Sequence, residues 1–80
     1  MAVAIFDEAL ELRRAGIDVP ILVMGRIRPT DARLAQKERI TVTVFQRDWI
    51  VLAKDVLDRQ LPALKIHIKV DTGMGRSLAL

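Results

Sequence analysis

Over residues 65–76 the chain reads Lys-Ile-His-Ile-Lys-Val-Asp-Thr-Gly-Met-Gly-Arg, so polar and apolar side chains alternate up to a glycine turn that closes on a cation. Successive side chains of a strand point to opposite faces, which puts Lys65, His67 and Lys69 on one side and Ile66, Ile68 and Val70 on the other. One face meets a hydrophobic layer and the other meets something polar. A barrel strand has this pattern when helices cover its outside and a ligand site occupies its inside, with functional residues at the strand's C-terminal end.

The residues upstream supply the rest of such a unit. Residues 7–15 open with acids, carry Ala9, Leu10 and Leu12, and stop at Gly16, which predicts a capped helix. Residues 20–25 form a short apolar run between breakers, the signature of a buried parallel strand. Thr30 is the expected N-cap of a short helix reaching about residue 38. Residues 40–44, Ile-Thr-Val-Thr-Val, alternate and are β-branched, so they predict a strand with Ile40, Val42 and Val44 toward helices and Thr41 and Thr43 on the other face. Asp48 is the expected cap of a helix from 49 to about 59, with Ile50, Leu52, Ala53 and Leu57 on its apolar side, and Pro62 ends that unit.

The order is a strand stub followed by three rounds of helix then strand, which predicts a parallel sheet joined by right-handed crossovers. The expected fold class is α/β, a partial (β/α)8 TIM-barrel segment of three to four parallel strands alternating with three helices. A closed barrel takes roughly 250 residues, and this chain has 80. It reads as a single fragment over residues 1–80, with both edge strands left unpaired and the polar strand faces turned to water. Open edges of that kind invite self-association.

Composition narrows the function classes. Hydrophobic residues are 51% and charged residues 29%, which argues for a packed chain over a disordered one. The absence of cysteine rules out disulfides and thiolate metal sites. The N-terminus is apolar but meets Asp7 and Glu8 at once, unlike a signal peptide. No apolar run approaches the roughly 20 residues of a membrane span. A cytoplasmic protein is expected. The net charge of +3 is spread among acids, and with 4% aromatics it favours a solvated mixed-charge surface over a nucleic-acid partner.

The run Lys69-Val70-Asp71-Thr72-Gly73-Met74-Gly75-Arg76 resembles the alanine racemases, which use pyridoxal phosphate (PLP) to interconvert L- and D-alanine. A looser similarity covers Ala2-Val3-Ala4, Asp7-Glu8-Ala9-Leu10, Leu12-Arg13, Gly16-Ile17 and Pro20-Ile21-Leu22-Val23-Met24-Gly25, with Thr43-Val44-Phe45 and Asp48-Trp49 between. The resemblance implies a segment of the PLP-binding barrel domain of a homodimeric isomerase that supplies D-alanine for peptidoglycan. It assigns Arg76 a hydrogen bond to the phenolic oxygen of PLP, a task suited to a permanently charged, directional donor. It matches Lys69 to a lysine that some members carry as a carbamate, which would orient Arg76. Met24 matches an apolar residue lining the cofactor in relatives, while the plainer reading, favoured on the residue alone, is an ordinary core methionine.

His67 reads as a strand histidine packed inside a barrel, since one histidine without partners makes neither a metal site nor a triad. The Asp71-Thr72-Gly73 turn uses ordinary turn chemistry and is also placed to shape the cofactor pocket. The resemblance also shows what is missing. The motif carrying the family's Schiff-base lysine does not occur here, and the chain has no tyrosine to act as the opposing base. Loss of one proton-transfer group commonly costs roughly 10²- to 10⁴-fold, so the chain alone is expected to be inactive. After Arg76 relatives continue Leu-Gly where this chain has Ser77-Leu78. The alternative reading is a non-catalytic small α/β structural or interaction module.

Overall fold

The short apolar runs become strands because their branched side chains bury against helices on one face. The computed structural model describes residues 1–69 and 75–80. Four parallel strands follow one another across the sheet: β1 (Ala2–Val3), β2 (Ile21–Val23), β3 (Ile40–Val44) and β4 (Lys65–Lys69). Between them lie α1 (Phe6–Arg14), a 3-10 turn (Pro29–Asp31) running into α2 (Ala32–Lys37), and α3 (Arg47–Lys54). The register places Leu22 opposite both Ala2 and Thr41, and Val42 opposite Ile66. Crossovers of one hand between strands in sequence order bring the helices to the same face. The molecule is accordingly a slab with a thin dimension of 17 Å, one sheet and one helix layer deep. The fold is the expected α/β barrel segment.

The core lies between those two layers. Ile21, Val23, Ile40, Val42, Val44 and Ile66 are at most 1% exposed, and Ala9, Ala35 and Ala53 let the helices approach them. Each such branched side chain contributes about 1.5–3 kcal/mol when buried. Gly16 ends α1 at φ 85°, a left-handed conformation in which a Cβ is unfavourable.

Several local expectations need correction. Neither Thr30 nor Asp48 caps a helix. Arg28 stands at the N-cap of the 3-10 turn, Asp31 at that of α2 and Gln46 at that of α3, none with a side-chain cap bond. α3 stops at Lys54, short of residue 59, because the chain must turn back to bring Val56 and Leu57 against the core. The buried Gln36 side chain holds that return. Its Nε2 donates to the carbonyls of Asp58 (2.8 Å) and Pro62 (3.0 Å), and its Oε1 accepts from the Asp58 amide (2.9 Å). Leu52 is exposed instead of apolar-face core, and Val51 beside it is exposed as well.

Contrary to expectation, β4 is not an open edge. Residues Gly75–Ala79 form β5, antiparallel to β4, with Ser77 opposite His67 and Gly75 opposite Lys69. Leu64 and Leu80 exchange two backbone hydrogen bonds (3.0 and 2.7 Å) at the base of the hairpin. The return strand supplies partners to β4 carbonyls and amides that would otherwise need water. Thr43 also departs from expectation: it is 5% exposed, and its hydroxyl donates to the Val23 carbonyl at 2.7 Å. Thr41 and His67 are half-buried, while Lys65 and Lys69 are exposed as the strand pattern implies.

At the strands' N-terminal end, Arg13 is committed to structure. Its guanidinium donates to the carbonyls of Glu38, Ile17 and Val19 at 2.8 Å and of Arg39 at 3.1 Å. Arg39 stands in a left-handed conformation (φ 56°) and bridges Asp18 at 2.6 Å. These contacts tie the loops after α1 and α2 together.

Candidate functional site

Parallel strands in sequence order deliver their C-terminal ends to one rim, and chemistry collects where those ends meet. On this rim stand Met24 and Arg26 after β2, Phe45 after β3 and Lys69 at the end of β4.

The segment after β2 is pinned at both ends. The Met24 amide donates to Val3 (2.8 Å) and the Gly25 amide to Ala4 (2.9 Å). A Cβ at position 25 would sit 2.5 Å from the Ala4 carbonyl oxygen, so this close approach requires glycine. Two residues on, the buried Ile27 accepts at its carbonyl from Trp49 Nε1 of α3 at 2.7 Å. Arg26 lies between the two anchors. Its guanidinium carbon is 5.1 Å from the centroid of the Phe45 ring, and Lys69 Nζ is 6.0 Å from the same centroid. An aromatic face attracts cations at such distances, each contact worth about 0.5–1 kcal/mol at exposed sites. Phe45 is thus a platform between two cations from different strands.

Around the platform are two shallow cavities. One of about 150 Å³ is lined by Arg26, Ile27, Thr43, Phe45, Gln46 and Trp49. The other is bordered by Arg47, Ile50, Ile68 and Lys69 along with Phe45. Met24 is 59% exposed on the rim and so is not a core methionine of this chain. His67 sits one layer below Lys69, between Thr43 and Ser77 in register. Lys65 begins β4 and lies at the far end of the strand from this cluster. A cavity of about 290 Å³ there is lined by Arg13, Gln36, Arg39 and Lys65 among others, but Arg13 and Gln36 already spend their donors on backbone carbonyls.

The Asp71-Thr72-Gly73 turn lies outside the described residues, as does the side chain of Arg76. The Arg76 backbone belongs to β5, opposite Ile68 and one register position from the Lys69–Gly75 pair. The structure therefore brings Met24 and Lys69 to one rim and returns the Arg76 backbone beside the end of β4. Arg26 and Phe45 were not singled out from sequence. Their signal is position: Arg26 follows the strand-ending Gly25, and Phe45 is the first residue past β3. No group of three or more metal-ligating residues occurs among the described residues.

Four parallel strands with an antiparallel fifth, helices on one face and cations at the strand ends form a piece of an α/β barrel domain. A family model, the N-terminal domain of alanine racemase, matches residues 1–77. The chain belongs to that family. It is 51% identical over 76 residues to alanine racemase of Geobacillus kaustophilus, covering 95% of this chain and 20% of that protein. The alanine racemase of Halalkalibacterium halodurans is 54% identical over 76 residues, again 95% of this chain, and 19% of its own length.

Among solved structures, alanine racemase from Bacillus anthracis with bound L-Ala-P superposes with a TM-score of 0.80 at 46% identity. That match covers 99% of this chain and 20% of the other. Histidine racemase from Leuconostoc mesenteroides subsp. sake gives a TM-score of 0.75 at 38% identity, covering 81% of this chain and 18% of its own. The chain thus spans about one fifth of the relatives it matches. No helix among the described residues is long and apolar enough to cross a membrane.

Proposed function

We propose that this chain is the early barrel segment of a PLP-dependent alanine racemase and carries one wall of its cofactor site. The observation that carries the reading is the family match over residues 1–77 together with the cluster of Met24, Arg26, Phe45 and Lys69 at the C-terminal strand ends. The donor set fits one side of an anionic aromatic cofactor. Arg76 would donate to the phenolic oxygen of PLP, Lys69 would orient Arg76, and Met24 would give the ring an apolar contact. PLP, when bound, supplies the electron sink that lets the substrate lose its α-proton. In this reading the chain's residues hold and orient the cofactor and do not move that proton.

A histidine racemase shares this fold at 38% identity, so the fold of the segment does not by itself fix the substrate. Alanine is the proposed substrate because the relatives at about 50% identity are alanine racemases. We assign the complete protein to the cytoplasm, working as a dimer in D-alanine supply to the cell wall. The isolated chain is inactive, because neither the lysine that bonds the cofactor nor the tyrosine base is present.

Amide NMR of the labelled chain with and without PLP, beside a racemisation assay, tests this. The expected result is no racemisation and weak shifts confined to the rim residues. A saturable, stoichiometric absorbance change on adding PLP that Arg76→Ala abolishes would overturn the expected weak binding, and measurable racemisation would overturn the inactive-segment reading. Shifts scattered away from the rim would overturn the site assignment.

A further inference from the structure

The strands' N-terminal ends carry a cavity that the racemase reading leaves unused. Its volume is about 290 Å³, and it lies between α2 and the loops entering β2, β3 and β4. No residue of β1 or β5 lines it, so its walls do not depend on either edge of the sheet. Pro20, Ile40, Pro62 and Ala63 form its apolar part.

The polar part has an excess of positive charge. Three cations, Arg13, Arg39 and Lys65, stand against one carboxylate, Asp18. A neighbouring depression shares Arg13, Arg39 and Asp18 and adds one cation and one acid, Lys37 and Glu38, so the excess is not cancelled there. The Arg13 guanidinium donates to four backbone carbonyls, which fix its position and carry no net charge against it. Arg39 gives one N–H to Asp18 at 2.6 Å, and its other side-chain N–H groups have no acceptor among the described residues. Lys65 is exposed at the first position of β4 and joins no ion pair among the described residues. Arg39 also holds its backbone at φ 56°, just past the C-cap of α2, where glycine is usual. Non-glycine residues kept in that region collect at ligand sites, and here the outlier is a cation on the cavity wall.

We propose that this cavity binds a small phosphomonoester, with its phosphate between Arg39 and Lys65 and its apolar body against Pro20 and Pro62. Three cations against one carboxylate match a phosphate monoester, which carries about −1.5 to −2 near neutral pH, better than they match a monoanionic carboxylate. The unspent N–H groups of Arg39 suit phosphate oxygens, and Lys65 adds a mobile point charge. The volume is close to the lower end, about 300 Å³, of small-molecule sites, which limits the body to a single ring or a short chain. Bound there, the ligand ties the start of β4 to the loop after α2, at the opposite end of the strands from Met24 and Lys69.

The test is an amide NMR titration of the labelled chain with phenyl phosphate, with benzoate, and with sodium chloride at matched ionic strength, repeated on Lys65→Gln. Because Lys65 is exposed, that substitution removes a charge without opening the core. The expected result is saturable shifts at Arg39, Thr41 and Lys65 with phenyl phosphate. Binding should be at least about fivefold weaker for benzoate, and at least about fivefold weaker for phenyl phosphate on Lys65→Gln. Shifts that do not saturate, shifts that chloride reproduces, saturable shifts confined to Arg26, Phe45 and Lys69, or a Lys65→Gln variant that binds like the parent would each overturn the proposal. PLP is not among the probes and the shifts are read at the far end of the strands, so this proposal and the racemase reading stand or fall separately.

Discussion

Replacing Gln36 should destabilise the fold more than its modest size suggests. The residue is 4% exposed, and its amide makes three hydrogen bonds, one accepted from the Asp58 amide and two donated to the Asp58 and Pro62 carbonyls. A neutral hydrogen bond contributes about 1 kcal/mol net, and a buried partner left unsatisfied costs about 1–3 kcal/mol. Gln36→Leu keeps the volume but removes all three bonds, and the freed backbone groups are partly reachable by water. The expected loss is therefore about 3 kcal/mol, against a total stability of roughly 4–12 kcal/mol for a chain of this size. Urea unfolding followed by far-ultraviolet circular dichroism measures it, provided the m-value is unchanged. Gln36→Glu is the stricter comparison: it keeps an acceptor for the Asp58 amide but turns a carboxylate toward two carbonyls, so it should cost at least as much. A loss under about 1 kcal/mol for Gln36→Leu would refute the claim that this side chain holds the turn after α3.

Two further substitutions probe the rim. Gly25→Ala sets a Cβ against the Ala4 carbonyl at 2.5 Å, so β1 must shift. About 1–3 kcal/mol should be lost in urea unfolding, with the largest amide shifts at Ala4 and Arg26. Phe45→Leu removes the ring shared by Arg26 and Lys69. Their side-chain proton resonances should move downfield as the ring current disappears, with a stability loss of about 1–2 kcal/mol; Phe45→Tyr should preserve both, and shifts that survive in Phe45→Leu would sink the platform.

The fold was legible wherever burial alone decides conformation. Ile21–Val23 and Ile40–Val44 are strands because their branched side chains fill a layer, and spacing announces that. Gly16 marks the end of α1 because few other residues take its positive φ. Legibility failed where a distant partner decides. Thr30 and Asp48 have cap chemistry, yet the helices start elsewhere because Trp49 must reach the Ile27 carbonyl and Ala32 must be buried. Thr43 reads as a water-facing strand residue until the Val23 carbonyl is known to lie beside it. Arg13 looks like one cation of a mixed surface, and only the fold shows four carbonyls converging on it.

The same distinction explains what sequence gave of the site. Lys69 and Met24 could be placed at strand ends because alternation and breakers fix where strands stop. Arg26 and Phe45 could not be joined to them, since a cation above a ring depends on the register between β2, β3 and β4. That register rests on contacts outside the rim: Gly25 against Ala4, Thr43 against Val23 and Trp49 against Ile27. Together they set the height of Phe45 and Arg26 relative to Lys69. In a sheet built this way the rim is only as well ordered as the packing one layer below it. Changes at Thr43 or Trp49 should therefore disturb the cation platform before they disturb the sheet.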